Sequence, residues 1–155
     1  MSEAGLGTIL LIEDEIDDAA LVTRALEKCG VQNPLLTLRN ADEALTYLEG
    51  INEYADRIAH PLPILILLDL KLPGMSGLQL LKWIRTRRDL RLIPVVVLTA
   101  SEDDADVRHA YEAGANSYLR KAASGDDFYR VANAVQQYWL EHNIPPPLVM
   151  RAKPE

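Results

Sequence analysis

Four short apolar runs in this sequence end in residues able to do chemistry. After residues 9–12 come Glu13, Asp14 and Glu15; after 64–68 comes Asp69. After 94–98 come Thr99 and Ala100, and after 117–119 come Arg120 and Lys121. Brought to one rim, Glu13, Asp14 and Asp69 are like charges that cannot all stay ionised without compensation. A hard divalent cation supplies it. Mg²⁺ prefers oxygen ligands, uses few carboxylates and keeps waters. In that setting Asp69 is a plausible nucleophile toward a phosphoryl group, forming an aspartyl phosphate. The cation, Lys121 and the Thr99 hydroxyl then suit the equatorial phosphoryl oxygens, where charge develops during transfer.

Each residue alone has a plainer reading. An acid at a strand end most often caps a helix or sits in water, and a single lysine is most often a surface lysine. It is the joint occurrence after four runs that argues for a site. Asp17, Asp18, Asp103, Asp104, Asp126 and Asp127 fall near predicted helix starts. There capping and the helix dipole account for them, and no chemistry is assigned to them.

The elements that must position these residues are legible as an alternation. Apolar runs at 8–12, 35–38, 64–68, 94–98 and 117–119 are short, and three of them are nearly continuous Ile, Leu and Val. Such runs mark strands buried on both faces of a parallel sheet. Between them the spacing turns helical, through Ala19, Val22, Leu26 and Cys29, then Ala41, Ala44, Leu45 and Leu48, then Leu80, Leu81 and Ile84. A shorter stripe is Val107, Ala110 and Tyr111, and the last is Phe128, Val131, Ala132, Val135 and Trp139. Gly30, Gly50 and Gly114 stand where left-handed C-terminal caps are expected. Five β-α units argue for an open α/β sheet, which binds ligands beyond the C-terminal ends of its strands. Residues 51–60 form an insertion, in which Ile51, Tyr54, Ala55 and Ile58 keep a spacing that extends or follows the second helix.

Composition narrows the class. With 155 residues, 48% of them apolar, the chain makes one domain with a sizeable core. A net charge of −7 disfavours nucleic acid and anionic lipid as partners. The longest apolar stretch, 62–68, is far short of a membrane span of ~20 residues. The N-terminus lacks a signal-peptide pattern, and Cys29 is alone, which excludes a disulfide framework. The expectation is a cytoplasmic protein without membrane or nucleic-acid contacts.

The motifs resemble the receiver domain of two-component response regulators. The resemblance rests on Ile9-Leu10-Leu11-Ile12-Glu13-Asp14-Glu15, Leu68-Asp69-Leu70-Lys71-Leu72-Pro73-Gly74-Met75-Ser76-Gly77, Val97-Leu98-Thr99-Ala100 and Tyr118-Leu119-Arg120-Lys121. It implies a flavodoxin-like, doubly wound, five-stranded parallel sheet in the order 2-1-3-4-5, with helices on both faces. It implies Asp69 as phosphoacceptor, and Glu13, Asp14 and Asp69 with the Lys71 backbone carbonyl as Mg²⁺ ligands. Thr99 matches the switch hydroxyl, Lys121 the lysine that pairs with the phosphoryl group, and Tyr118 the aromatic that follows the switch. Pro73, Gly74 and Gly77 match the loop after the acceptor. One position departs: Ala122 stands where the family usually has a proline joined by a cis peptide. A cis bond there would cost about 3 kcal/mol without proline.

The receiver reading takes in residues 1–141 and leaves 142–155 as a proline-rich tail, too short for an output module. Output must then pass through protein contacts. The insertion and the extended last helix resemble stand-alone regulators of phytochrome-type histidine kinases, which implies a sensor kinase partner. A homodimer is expected through the fourth helix, fifth strand and fifth helix. That face carries Arg108, His109, Tyr118, Arg120, Tyr129 and Arg130, and the tail adds Tyr138 and Trp139.

Other classes fit less well. An aspartate-based phosphatase needs a general acid two residues after its nucleophile, where Lys71 stands. A flavin carrier or dinucleotide-binding domain needs a first loop that welcomes phosphate, and Glu13-Asp14-Glu15 repels it. The remaining alternative is a degenerate receiver that only binds, against which the intact Asp14, Asp69, Thr99 and Lys121 argue.

Overall fold

The computed structural model describes residues 6–121 and 125–147. Five strands, β1 (Ile9–Ile12), β2 (Leu35–Leu38), β3 (Leu65–Leu68), β4 (Val95–Thr99) and β5 (Ser117–Arg120), form one parallel sheet in the order β2-β1-β3-β4-β5. Five helices alternate with them: α1 (Ile16–Lys28), α2 (Ala41–Glu49), α3 (Gly77–Thr86), α4 (Asp104–Glu112) and α5 (Gly125–Ala134). A π-helical segment, Val135–His142, continues α5. This is the order and class that the sequence implied. The Lys121–Ala122 peptide, the Asp126 side chain and the tail beyond residue 147 lie outside the described residues.

The sheet divides the interior into two cores. Leu10, Ile12, Ile66, Leu68 and Val95 face one side with α2 and α3. Ile9, Leu11, Leu65, Leu67, Val96 and Leu98 face the other with α1 and α5. Every residue of β1, β3 and β4 is buried, which is why these strands read as unbroken apolar runs rather than alternating ones. Trp139 and Leu140 pack at the margin of the α1/α5 core, so the π-helical segment is docked.

Helix ends follow the sequence signals. Gly30, Gly50 and Gly114 all adopt positive φ just past α1, α2 and α4. Ser76 and Gln79 form a reciprocal capping box that starts α3 directly after the acceptor loop. At the far end of the sheet, Arg85 donates to the carbonyls of Gly114, Arg91 and Ile93 and to Asn116 Oδ1. Asn116 Oδ1 also accepts from Val95 N–H, tying the entry of β4 to α3.

Two expectations are corrected. The insertion is not an amphipathic helix: Gly50 stops α2 at φ 69°, one 3-10 turn follows (Asn52–Tyr54), and Ile58 is 95% exposed. Tilted and edge-to-face packing of Tyr47, Tyr54 and His60 orders the segment instead, with the Arg57 guanidinium over the Tyr47 ring. In α4 only Ala110 is buried and Tyr111 is half exposed, because this short acidic helix lies against the sheet edge.

Gly77 shows how closely the fold is fitted around the site. A Cβ there would meet the Asp69 carbonyl oxygen at 2.1 Å and Leu70 Cα at 2.8 Å, both backbone atoms that cannot swing away. At Gly74, with φ +72°, nothing lies within 4 Å. Gly77→Ala is therefore expected to destabilise by about 3 kcal/mol through overpacking against fixed backbone. Gly74→Ala is expected to lose only the left-handed backbone cost of about 1 kcal/mol. Urea unfolding of both checks this, and an equal or reversed order would contradict the packing argument.

Candidate functional site

The sheet itself delivers the site residues. Ile12 pairs with both Leu38 and Leu68, so Glu13 and Asp69 leave adjacent strands at one level. Their backbones extend the ladder: Glu13 N–H donates to Leu38 O at 2.9 Å and Asp69 N–H to Ile12 O at 3.1 Å. Lys121 N–H donates to Thr99 O at 2.7 Å, fixing the fourth and fifth strand ends to each other.

The side chains converge as expected. Carboxylate oxygens of Glu13, Asp14 and Asp69 all lie within 4.8 Å of one another. Lys121, whose side chain is only 7% exposed, reaches into this group. Its Nζ lies 2.5 Å from Glu13 Oε1, 2.9 Å from Asp69 Oδ2 and 3.0 Å from Asp18 Oδ2. Asp18 belongs to the set assigned to capping and the helix dipole by sequence; it does lie in the first turn of α1, but its carboxylate pairs with Lys121, a contact that assignment did not foresee. Among those acids, Asp103 is the N-cap of α4 but makes no side-chain cap bond.

Burial and charge act in opposite directions here. Burial pushes the Glu13 carboxyl up to about 7, against the pull of the Lys121 ammonium, and the nearby Asp69 charge adds to the rise. Burial disfavours the charged Lys121, but bonds to Glu13, Asp69 and Asp18 outweigh it and hold its pKa above the usual lysine range. One ammonium meets three carboxylates, and Asp14 stands beside two of them, so negative charge is left over.

The remaining predicted residues are placed around this centre. Thr99 is 1% exposed, and its Oγ1 has no hydrogen-bond partner among the described residues. An unpaired buried hydroxyl is costly unless a ligand supplies an acceptor. Lys71 N–H donates to Asp69 Oδ1 at 3.2 Å, while the Lys71 side chain is exposed. The Tyr118 hydroxyl donates to Ser101 O at 2.8 Å, and Arg120 pairs with Glu102. Both contacts bind β5 to the loop that follows Thr99. A groove of about 630 Å³ opens beside Glu13, lined by Ile16, Ala19, Ala20, Thr23 and Arg39. Ile16 is 66% exposed at its edge, a feature that the sequence pattern hid because this residue opens α1.

The donor set is all oxygen and anionic, and it is left with an orphaned buried hydroxyl, which fits a hard divalent cation and an anion bound together. The response regulator receiver domain model matches residues 9–133. This chain belongs to that family. The probable methanogenesis regulatory protein FilR2 of Methanothrix harundinacea is 42% identical over 138 residues, covering 89% of this chain and 86% of the relative. Response regulator Rcp1 of Synechocystis sp. is 38% identical, covering 86% and 88%. A structure of the Mn(2+)-bound form of Rcp1 superposes with a TM-score of 0.83 at 37% identity, over 91% of this chain and 99% of that one. The phosphorylated cyanobacterial phytochrome response regulator RcpA gives a TM-score of 0.86 at 34% identity, over 92% and 100%. The receiver is thus a signalling module. No helix among its described residues is long and apolar enough to cross a membrane.

Glu13 must be ionised to ligate a cation, so protons compete with metal through a pKa of about 7. Affinity should fall as pH drops. Mn²⁺ titration of the full chain is expected to show about tenfold weaker binding at pH 6 than at pH 8. A pH-independent affinity would contradict the place of Glu13 in the site.

Proposed function

We propose that this receiver accepts a phosphoryl group on Asp69 from the phosphohistidine of a sensor histidine kinase, and signals by changing its protein contacts. The observation that carries this is the arrangement around Asp69. Its carboxylate is 6% exposed, holds Lys121 at 2.9 Å and shares its pocket with two further acids and an unpaired Thr99 hydroxyl. Mg²⁺ is the cation we assign, held by Glu13, Asp14, Asp69 and the Lys71 carbonyl. Bound there, it would supply positive charge to offset the anionic groups of the site and of the phosphoryl donor.

The chain's own residues do the rest. A carboxylate oxygen of Asp69 attacks phosphorus as the P–N bond to the donor imidazole breaks, and the electron pair stays on that nitrogen. Asp69 gives up its charge to the acyl phosphate, and the Lys121 ammonium turns to the new phosphoryl oxygens. The Thr99 hydroxyl gains the acceptor that it lacks. Its movement pulls the loop that Tyr118 and Arg120 grip, which couples chemistry to the β5 surface. The same groups assist later hydrolysis of the acyl phosphate. The exposed groove at Ile16 beside Glu13 is suited to an apolar helix of the donor.

Residues 1–141 form the receiver in this reading, and 142–155 a tail that contributes to assembly. Likeness to the phytochrome response regulator RcpA supports a phytochrome-type kinase as donor, and hence a cytoplasmic site of action. Arg108, His109, Arg120, Tyr129 and Arg130 are all exposed, and Tyr138 is 54% exposed beside Trp139. That surface supports a homodimer through α4, β5 and α5.

The test is phosphotransfer with Mg²⁺ from a phosphorylated phytochrome-type histidine kinase, comparing wild type with Asp69→Asn. Label is expected on wild type only. Light scattering of the same samples is expected to show a dimer that strengthens on phosphorylation. Equal labelling of the two proteins, or of neither, would overturn the assignment of Asp69. A monomer at high micromolar concentration in both states would overturn the dimer.

A further inference from the structure

We infer that Asp18 is a positioning residue for phosphoryl transfer, holding the Lys121 ammonium in place when the other partners of that lysine change. The inference rests on the phosphoacceptor reading of Asp69. Lysine has three donors, and here three carboxylates surround them: Glu13, Asp69 and Asp18. Two of these are committed elsewhere during the reaction. Glu13 would be drawn to the cation, and the Asp69 carboxylate would pass its charge to the phosphoryl oxygens of an acyl phosphate that remains anionic. Of the three, Asp18 is the carboxylate that neither reacts nor ligates in this scheme, so it can stay with Lys121 throughout.

The local structure explains why Asp18 is available. Glu15 is the N-cap of α1, so Asp18 occupies the third helical position. A side chain there ordinarily reaches back to the N-cap N–H. In this chain Glu13 Oε2 already accepts from Glu15 N–H at 3.1 Å. Asp18 is released from capping and turns 3.0 Å toward Lys121, a residue 103 positions away. Asp17, one step earlier, is exposed, whereas Asp18 is part-buried. The arrangement also answers the missing proline: Ala122 follows Lys121 without a ring to preset the backbone. Lys121 is instead restrained at both ends, by its N–H on Thr99 O and by its Nζ on Asp18.

The test compares wild type with Asp18→Asn and Asp18→Glu in the full chain, by two readouts. The first is the ¹⁵N resonance of the Lys121 ammonium, without metal and then with Mg²⁺ and beryllofluoride. A protected signal is expected in wild type in both states, lost in Asp18→Asn and restored in Asp18→Glu. The second is steady-state labelling by acetyl phosphate with Mg²⁺. A fall of at least about fivefold is expected in Asp18→Asn, in line with the loss of one charge-assisted hydrogen bond, with recovery to within about twofold in Asp18→Glu. An unchanged Lys121 signal in Asp18→Asn, or labelling within twofold of wild type, would overturn the role. Failure of wild type to label would instead count against Asp69 as acceptor, and the metal-free resonance would still decide whether Asp18 holds Lys121.

Discussion

The Lys121 ammonium is the internal counter-charge on which the rim of this sheet depends. Four carboxylates meet where the strands end, and burial leaves water little part in separating them. A buried group of like charges is tolerable only if something positive sits among them. The same imbalance that makes the pocket costly makes it useful. Negative charge in excess of one lysine selects a divalent cation, and the cation in turn admits a phosphoryl anion.

The rest of the architecture serves that arrangement. Parallel pairing of β1 with β3 places Glu13 beside Asp69, and the ladder bonds of the site residues themselves leave little room for drift. Gly77 lets the capped start of α3 lie against the Asp69 carbonyl. Arg85, at the opposite end, fixes the entry of β4 and so the reach of Thr99. The loop beyond β4 is different in kind. The loop after Thr99 is held by Tyr118 and by the exposed Arg120–Glu102 pair, and an exposed ion pair of this kind holds only weakly.

Much of this was legible in the sequence, for identifiable reasons. Strands buried on both faces give continuous apolar runs, and in a parallel sheet the residue after each run lies on the ligand-binding rim. The acids, Thr99 and Lys121 could thus be placed before any coordinates. Asp18 could not, because an acid in the first turn of a helix has an adequate local explanation. Only the contact with Lys121, across most of the chain, shows that the explanation fails. Residues 51–60 misled for a related reason: apolar residues at helical spacing carry no meaning where Gly50 has ended the helix and edge-to-face aromatic packing orders the chain. Tyr111 stands on a stripe too short to distinguish a buried face from an edge.

The role of Lys121 as internal counter-ion is tested most directly by urea unfolding of Lys121→Met, with and without Mg²⁺. Without metal, a loss of about 3 kcal/mol relative to wild type is expected, since the carboxylates lose the buried ammonium that sits among them. With saturating Mg²⁺, much of that loss should be recovered, because the cation takes over the neutralising charge. A metal-free variant as stable as wild type, or a loss that Mg²⁺ leaves unchanged, would contradict it.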